Sequence, residues 1–123
     1  MNDQLRESKQ IFVFGSNTQG RHGKGAAKEA LEKHGAIYGQ ARGLQGNSYG
    51  IVTKELRNGY LPVTLNELFC EVNRFIVAAR LQPHLTFNVT KVGCGLAGFR
   101  EAEVKPMFKG APENCILPEG WRE

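Results

Sequence analysis

The sequence lacks the features that mark membrane-spanning, secreted and fibrous proteins. It has no apolar run of about 18 residues, and its first ten residues lack the apolar segment of a signal peptide. Only five prolines are present, and the glycines follow no three-residue repeat, which excludes a collagen-like chain. We therefore expect a cytoplasmic protein with a single domain and no membrane partner.

Cysteine is also scarce. Cys70, Cys94 and Cys115 are odd in number and widely spaced, with no CxxC pair. This pattern argues against a disulfide framework and against a structural zinc site, and it suits a reducing compartment. We predict no metal and no cofactor.

The charge surplus is small, with 16 Lys and Arg against 12 Asp and Glu and a formal net charge of +4. The basic residues form no run of five or six and no cluster with interleaved aromatic residues. Direct reading of a nucleic acid is therefore disfavoured, and a nucleic acid is expected only as a modified substrate. An ordinary solvated surface would explain the surplus, and so would a phosphate-bearing ligand.

Glycine is the residue in excess, at about 12% of the chain against ~7% in an average protein. Nine of the 15 glycines lie between Gly15 and Gly50, three more are Gly93, Gly95 and Gly98, and none occurs from Leu61 to Val92. Glycines clustered beside apolar runs indicate backbone that turns tightly or approaches a ligand closely.

Apolar patterning predicts an α/β protein. We predict strands over residues 11–14, 48–53, 86–92 and 115–117, and helices over residues 25–34, 64–80 and 101–109. In the long helix, apolar residues from Leu65 to Ala79 form one stripe, and Thr64 with Glu67 forms a capping box. The alternation predicts a three-layer α/β/α domain with a mainly parallel or mixed sheet over residues 11–123, after a polar N-terminal segment of residues 1–10.

The first glycine cluster follows the first predicted strand, where such sheets bind ligands. Residues 15–22 approach the GxxxxGK[ST] phosphate loop, but Arg21 and His22 replace its lysine and hydroxyl residue. Residues 23–28 begin a GxGxxG fingerprint and lack its third glycine. A glycine-rich turn leading into a helix would still present N–H groups to an anion, and a tight connection without a ligand is the alternative.

The second cluster, residues 93–98, follows the third predicted strand. A second backbone cradle beside the first would suit a ligand with two phosphates, whereas a sharp loop that needs positive φ angles is the alternative. Lys54 ends the second strand at the same edge, as a ligand contact or a surface lysine. His22 lies inside the first loop, where a phosphate would favour its donating form, or it is solvated. A catalytic Cys94 is disfavoured because nothing places a histidine beside it.

Four segments in this order resemble the macro domain family, which binds ADP-ribose: residues 14–17 (FGSN), 20–27 (GRHGKGAA), 48–54 (SYGIVTK) and 92–98 (VGCGLAG). The similarity covers residues 11 to 117. The IVTK and GCGL sequences are most similar to the branch that contains terminal ADP-ribose protein glycohydrolase and ADP-ribose-1″-phosphate phosphatase. The chain also resembles short bacterial and phage-encoded proteins.

The resemblance implies a role for each matched residue. Asn17 would contact the distal ribose, Gly23 and Gly25 would line the loop beside it, and residues 93–99 would wrap the diphosphate. Lys54 would attack the anomeric carbon of the ribose, with His22 as a second catalytic candidate. The full ligand-binding set is Gly15, Ser16, Asn17, Gly23, Gly25, Gly93, Cys94, Gly95, Leu96, Ala97, Gly98 and Phe99.

One departure separates binding from catalysis. The glycohydrolase pattern has an acid/base aspartate directly after GCGL, where this chain has Ala97, which has no proton to exchange. Glu101 or Glu103 could replace it or could cap the next helix. The sequence leaves three hypotheses: an ADP-ribosyl hydrolase or phosphatase, a non-catalytic module for ADP-ribose or an ADP-ribosylated target, and a phage-type assembly protein with a vestigial pocket.

Overall fold

The computed structural model describes residues 8–56 and 61–122. Within these ranges the chain forms a mixed α/β structure of six strands, three helices and one 3-10 turn. In chain order they are β1 (Lys9–Asn17), α1 (Gly25–Lys33), β2 (Gly43–Gln45), β3 (Ser48–Glu55), β4 (Leu61–Pro62), α2 (Leu65–Arg80), β5 (Leu85–Val89), α3 (Glu101–Val104), the 3-10 turn (Lys105–Phe108) and β6 (Cys115–Ile116).

The strands form one mixed sheet with a parallel centre. The strand order is β2-β3-β1-β5-β6, and β4 pairs with β3 outside this path. β1 runs parallel to β3 and β5, and β5 runs parallel to β6, whereas β2 and β4 are antiparallel to β3. The carboxyl ends of β1, β3 and β5 therefore meet at one edge of the sheet, which is where an open α/β sheet binds ligands.

The two faces of the sheet carry separate cores. Side chains alternate along β1: Ile11 and Val13 join a large core with α2, whereas Phe14 joins a small core with Ala27 and Ala30 of α1. Helices α1 and α2 consequently cover opposite faces. The continuous apolar run of β1 is explained by its position at the centre of the sheet, buried from both sides.

Helix α2 is amphipathic, as predicted. Its buried residues are Leu68, Val72, Phe75, Ile76 and Ala79. The predicted capping box is confirmed: Glu67 N–H donates to Thr64 Oγ1 at 3.1 Å, and Thr64 N–H donates to Glu67 Oε1 at 2.8 Å. Leu65 and Phe69, which the predicted stripe also includes, are more than 40% exposed, so the buried stripe is narrower than the sequence indicates.

Several boundaries differ from the predicted ones. β1 begins at Lys9 rather than at residue 11, because Lys9 and Gln10 pair with the start of β5, and it continues to Asn17. β5 ends at Val89. The last helix is only four residues long and passes into a 3-10 turn at Pro106, whose ring nitrogen cannot donate a helical hydrogen bond.

Two short strands, β2 and β4, lie in segments that we predict as loops. Residues 1–7 of the predicted N-terminal segment and residue 123 of the predicted domain lie outside the described residues. No helix of the described ranges is both long and apolar enough to cross a membrane.

Candidate functional site

A cavity of about 820 Å³ lies at the carboxyl ends of β1, β3 and β5. Both glycine clusters contribute to its wall. The lining residues are Gly15, Ser16, Asn17, Arg21, Gly23, Lys24, Gly25, Ala26, Ala27, Tyr38, Thr53, Lys54, Thr90, Lys91, Val92, Gly93, Cys94, Gly95, Leu96, Ala97 and Glu101. The predicted location of a ligand site at this edge therefore coincides with a cavity of the size that small ligands occupy, ~300–1,000 Å³.

The first loop, between β1 and α1, is held in shape by its own side chains. Asn17 Nδ2 donates to Arg21 O at 2.8 Å, and Asn17 Oδ1 accepts from Arg21 N–H at 2.9 Å. Gly20 has φ +65°, and a Cβ there would lie 2.5 Å from Gly39 C. Glycine is therefore required at position 20, where the loop packs against the chain at residues 39–40.

The N-terminus of α1 points unpaired N–H groups into the cavity wall. Lys24 is the N-cap residue and has an extended conformation. Its side chain makes no capping hydrogen bond, and the first turn of the helix contains no acidic residue. In the described part of the chain, the N–H groups of Gly25, Ala26 and Ala27 donate to no protein acceptor. Such an end carries roughly half a positive charge and favours an anion.

The second loop, after β5, combines tight turns with further unpaired donors. Phe99 N–H donates to Gly93 O at 2.8 Å and Gly98 N–H donates to Gly95 O at 3.0 Å. Gly93 and Gly98 have φ angles of +79° and +83°, so the sharp turn with positive φ, which the sequence offers as the alternative to a ligand cradle, is present at these two positions. Among the described residues, no acceptor pairs with the N–H groups of residues 95–97.

The two loops face each other across the cavity. A Cβ on Gly25 would lie 3.5 Å from Leu96 Cδ1, and a Cβ on Gly15 would lie 3.5 Å from Gly93 N. By contrast, a Cβ on Gly23 or Gly95 would meet nothing within 4 Å. The two segments are therefore within van der Waals reach of each other at Gly15 and Gly25, and open space lies beside Gly23 and Gly95.

The charge of the wall is mainly positive. Arg21, Lys24, Lys54 and Lys91 line the cavity, and Glu101 is the one acidic side chain among its described lining residues. Lys91 Nζ lies 3.2 Å from Glu101 Oε2. With cationic side chains and unpaired N–H groups on both loops, the cavity is suited to an anionic ligand.

Most of the predicted site residues meet at this cavity. Its wall includes Gly15, Ser16, Asn17, Gly23, Gly25, Lys54, Gly93, Cys94, Gly95, Leu96 and Ala97. Gly98 and Phe99 lie outside this lining. Gly98 adopts the positive φ of the turn, and Phe99 packs against the large core.

His22 is a further exception. Its side chain is fully buried and lies outside the cavity lining. Nε2 is 3.0 Å from Gln40 O and 3.2 Å from Gln45 Oε1, and the ring meets Phe14 edge to face. Nδ1 has no hydrogen-bond partner among the described residues. His22 therefore fixes the first loop against residues 40–45 and does not reach a ligand in the cavity.

Cys94 lines the cavity as a thiol. Burial raises its pKa, and the negative charge of Glu101 raises it further. The thiolate is the nucleophilic form of cysteine, so the pKa shift agrees with the prediction that Cys94 is not a catalytic nucleophile.

The two candidate carboxylates of α3 have different roles. Glu103 Oε1 accepts Arg100 N–H at 3.0 Å and so caps the helix. Glu101 lines the cavity, where Oε1 accepts Trp121 Nε1–H at 3.0 Å. The hydrogen bonds from Trp121 and Lys91 lower the pKa of Glu101 and keep its carboxylate ionised.

Sequence reasoning missed several lining residues. Thr53 lies two residues before the end of β3 and Thr90 directly follows β5, so extending the edge rule to the residues around each strand end would have found them. Tyr38, which is 62% exposed at the rim, comes from the connection after α1, and no signal in the sequence marks it. Within the described ranges, no three His, Cys, Asp or Glu side chains are grouped to hold a metal ion.

Comparisons with known proteins give no relative from which a function could be transferred. No protein-family model, curated protein or solved structure matches the chain. Its function is therefore argued from the chemistry of the cavity and from the motifs that form it.

Proposed function

We propose that the chain is a macro-domain-like protein that binds ADP-ribose, or a related nucleotide diphosphate, in the cavity between residues 15–25 and 93–97. The observation that carries this proposal is the convergence of two glycine-rich loops, each with unpaired N–H groups, on one cavity. A diphosphate offers an acceptor-rich group for each loop.

The electrostatics support the same ligand class. The N-terminus of α1 and the side chains of Arg21 and Lys24 lie on one side of the cavity, and neither side chain forms an ion pair among the described residues. The helix N-terminus and the two cationic side chains would compensate the negative charges of two phosphates, so no phosphate charge would be buried without a partner. A neutral nucleoside would make no use of them.

The four motifs of the macro resemblance support the assignment by position. Asn17 and Gly25 lie on one loop, Gly93 lies on the other, and Lys54 is the penultimate residue of β3, which pairs with β1. The side-chain amide of Asn17 already makes two hydrogen bonds to Arg21. It keeps one N–H and one lone pair with which to contact a ribose.

Binding has more support than turnover. Ala97 lies in the cavity wall and cannot transfer a proton, Cys94 is held as a thiol, and His22 lies outside the lining. Lys54 remains as the candidate nucleophile that the resemblance implies. ADP-ribosyl hydrolysis or ADP-ribose-1″-phosphate hydrolysis is therefore the second candidate function, and the presence of Lys54 in the cavity is the observation that favours it.

Calorimetric titration with ADP-ribose tests the binding proposal, with adenosine as the ligand that lacks the diphosphate. We expect ADP-ribose to bind and adenosine to bind much more weakly. A folded protein that gives no heat with millimolar ADP-ribose would refute the proposal.

Turnover is tested by following the release of ADP-ribose from modified protein and from modified DNA, and of phosphate from ADP-ribose-1″-phosphate. If the chain is an enzyme, Lys54→Ala should abolish the release. Lys28→Ala, which removes an exposed lysine of α1 outside the cavity, should leave it unchanged. Turnover that survives Lys54→Ala would remove Lys54 from the mechanism, and no turnover on any of these substrates would favour the binding module.

A further inference from the structure

Glu101 is the cavity residue that the diphosphate proposal leaves unexplained. It places a carboxylate in a wall that is otherwise basic, beside the loop of residues 93–98. Its side chain is half exposed, so it is accessible from the cavity. A negative charge there would weaken phosphate binding in its immediate surroundings, and its presence therefore needs a reason.

The carboxylate is held in place from two sides. Trp121 is 3% exposed and packs against Phe108, so its indole N–H has a fixed position, 3.0 Å from Glu101 Oε1. Lys91 Nζ contacts the other oxygen at 3.2 Å. Each carboxylate oxygen has two acceptor sites, so both oxygens keep one site for a ligand.

We infer that Glu101 is a specificity residue, which accepts a hydrogen bond from a free hydroxyl of the ligand's sugar next to the second loop and excludes a phosphate from that position. The inference rests on the proposed function, because it assumes that a nucleotide diphosphate occupies the cavity. Any such ligand carries sugar hydroxyls directly beside its phosphates.

The different chemistry of a sugar hydroxyl and a phosphate explains why Glu101 would favour the hydroxyl. A hydroxyl can donate to a carboxylate, whereas a phosphate monoester is mostly a dianion above about pH 6, has no proton to donate in that form and is repelled. Dinucleotide-binding proteins use the same distinction, with an acidic residue for a ribose diol and an arginine for a ribose phosphate. Lys91 offsets the charge of Glu101 only in part, because its ammonium is exposed to solvent.

The groups around Glu101 keep it ionised under ordinary conditions. Trp121 and Lys91 lower its pKa. The cluster also includes the Cys94 thiol, Glu103 and Arg100, whose Nε lies 3.5 Å from Glu103 Oε1. An ionised carboxylate is an acceptor only, so Glu101 is suited to hydroxyl recognition and is a poor proton donor.

The test compares the affinity of ADP-ribose with the affinities of its 2′-phosphate and 1″-phosphate derivatives, which carry the added phosphate on the two different sugars. The wild-type protein should bind at least one derivative about tenfold more weakly than ADP-ribose, and Glu101→Gln should remove most of that difference. The glutamine keeps an oxygen for Trp121, so the variant retains the local packing.

Glu103→Gln is the matched control, because it makes the same change in the same helix at a residue outside the cavity lining. This variant should keep the wild-type ratio between the affinity for ADP-ribose and the affinity for each phosphorylated derivative. If ADP-ribose binds and the ratios are equal in the wild type and Glu101→Gln for both derivatives, the inference is overturned and the proposed function stands. If folded wild-type protein binds no ADP-ribose, both are overturned.

Trp121→Phe tests how the carboxylate is held, since it keeps an aromatic ring and removes the N–H donor. The pKa of Glu101 should rise, so discrimination against phosphate should fade at a higher pH than in the wild type. The readout is the pH dependence of the affinity ratio between about pH 4 and pH 7. An unchanged pH dependence would overturn the role of Trp121.

Discussion

Gly95 and Gly20 both lie in the glycine-rich segments beside the cavity, yet their substitution should have opposite consequences. A Cβ on Gly95 meets nothing within 4 Å, and its φ is not positive, so Gly95→Val should fold normally. Its side chain would occupy the space between the loops. We expect this variant to lose ADP-ribose binding in a calorimetric titration while its melting temperature stays close to that of the wild type.

Gly20→Ala provides the contrast. The added methyl group would lie 2.5 Å from Gly39 C, at a φ of +65°, so the loop could not keep its shape. This variant should lose stability, by roughly 1–3 kcal/mol in urea unfolding. Unaltered ADP-ribose affinity in Gly95→Val would contradict the location of the ligand, whereas unaltered stability in Gly20→Ala would contradict the loop geometry.

The reactivity of Cys94 gives an independent report on the cavity. Because burial and Glu101 raise its pKa, alkylation by iodoacetamide near pH 7.5 should be slow, and Glu101→Gln should accelerate it by increasing the thiolate fraction. Saturating ADP-ribose should protect it. Peptide mapping by mass spectrometry separates Cys94 from the exposed Cys70, which serves as the internal reference.

Two further comparisons complete the alkylation experiment. Cys115 is buried with its pKa raised to about 11, so it should remain unlabelled in the folded protein. Glu32→Gln, an exposed residue of α1 outside the cavity, should leave the Cys94 rate unchanged. Fast labelling of Cys94 that ADP-ribose does not slow would place the ligand elsewhere.

For single residues, the sequence predicts which backbone segments lie at the cavity edge better than it predicts where their side chains point. Lys54 lies one residue before the end of β3 and Gly93 lies four residues after the end of β5, and the edge rule places both in the cavity. His22 lies in the loop between β1 and α1, but its side chain is turned inward by contacts with Gln40 and Gln45. Those partners are about twenty residues away in sequence, so no local pattern could reveal them.

Among the elements, α2 carries the strongest local signal and allows a direct stability prediction. Thr64→Ala removes the hydroxyl that accepts Glu67 N–H and should destabilise the protein by about 1 kcal/mol. Urea unfolding measures the change. Thr64→Ser keeps the acceptor and should lie close to the wild type. Equal losses for alanine and serine would mean that the threonine methyl group, and not the cap, stabilises the helix.

The glycine-rich connection from residue 35 to residue 50 is only partly predictable from local sequence patterns. Gly46 and Asn47 form the two-residue turn between β2 and β3, a hairpin signal that is present in the sequence. A Cβ on Gly46 would clash with Gly35 O. Gly46 therefore serves close backbone packing, whereas β2 and β4, at three and two residues, are too short to show a periodic pattern.

For the whole molecule, the order of strands and helices is sufficient to predict an α/β protein with a ligand edge. The continuous apolar run of residues 11–14 predicts a strand buried on both faces, and β1 lies between β3 and β5 with a core on each side. The full wall of the cavity is not predictable in this way, because Tyr38 reaches it from the connection after α1, far in sequence from Lys91 and Glu101, which follow β5 in the chain.

Ligand binding should stabilise the whole molecule. At about 100 times the dissociation constant, a ligand that binds only the folded state adds about 2.7 kcal/mol. For 123 residues, an unfolding entropy of about 2.1 cal/mol/K per residue converts this to a rise in melting temperature of about 10 °C. Thermal unfolding with and without ADP-ribose measures the shift, and Gly95→Val should show none.

The same experiment tests whether charge holds the ligand. Arg21, Lys24 and Lys91 are exposed at the cavity wall, so salt screens their attraction for a diphosphate, over a Debye length of about 10 Å at 0.1 M. At a fixed ADP-ribose concentration, the rise in melting temperature should therefore shrink as NaCl increases from about 0.05 M to about 0.5 M. A rise that is independent of salt would mean that the backbone N–H donors of the two loops, and not these cations, provide most of the affinity.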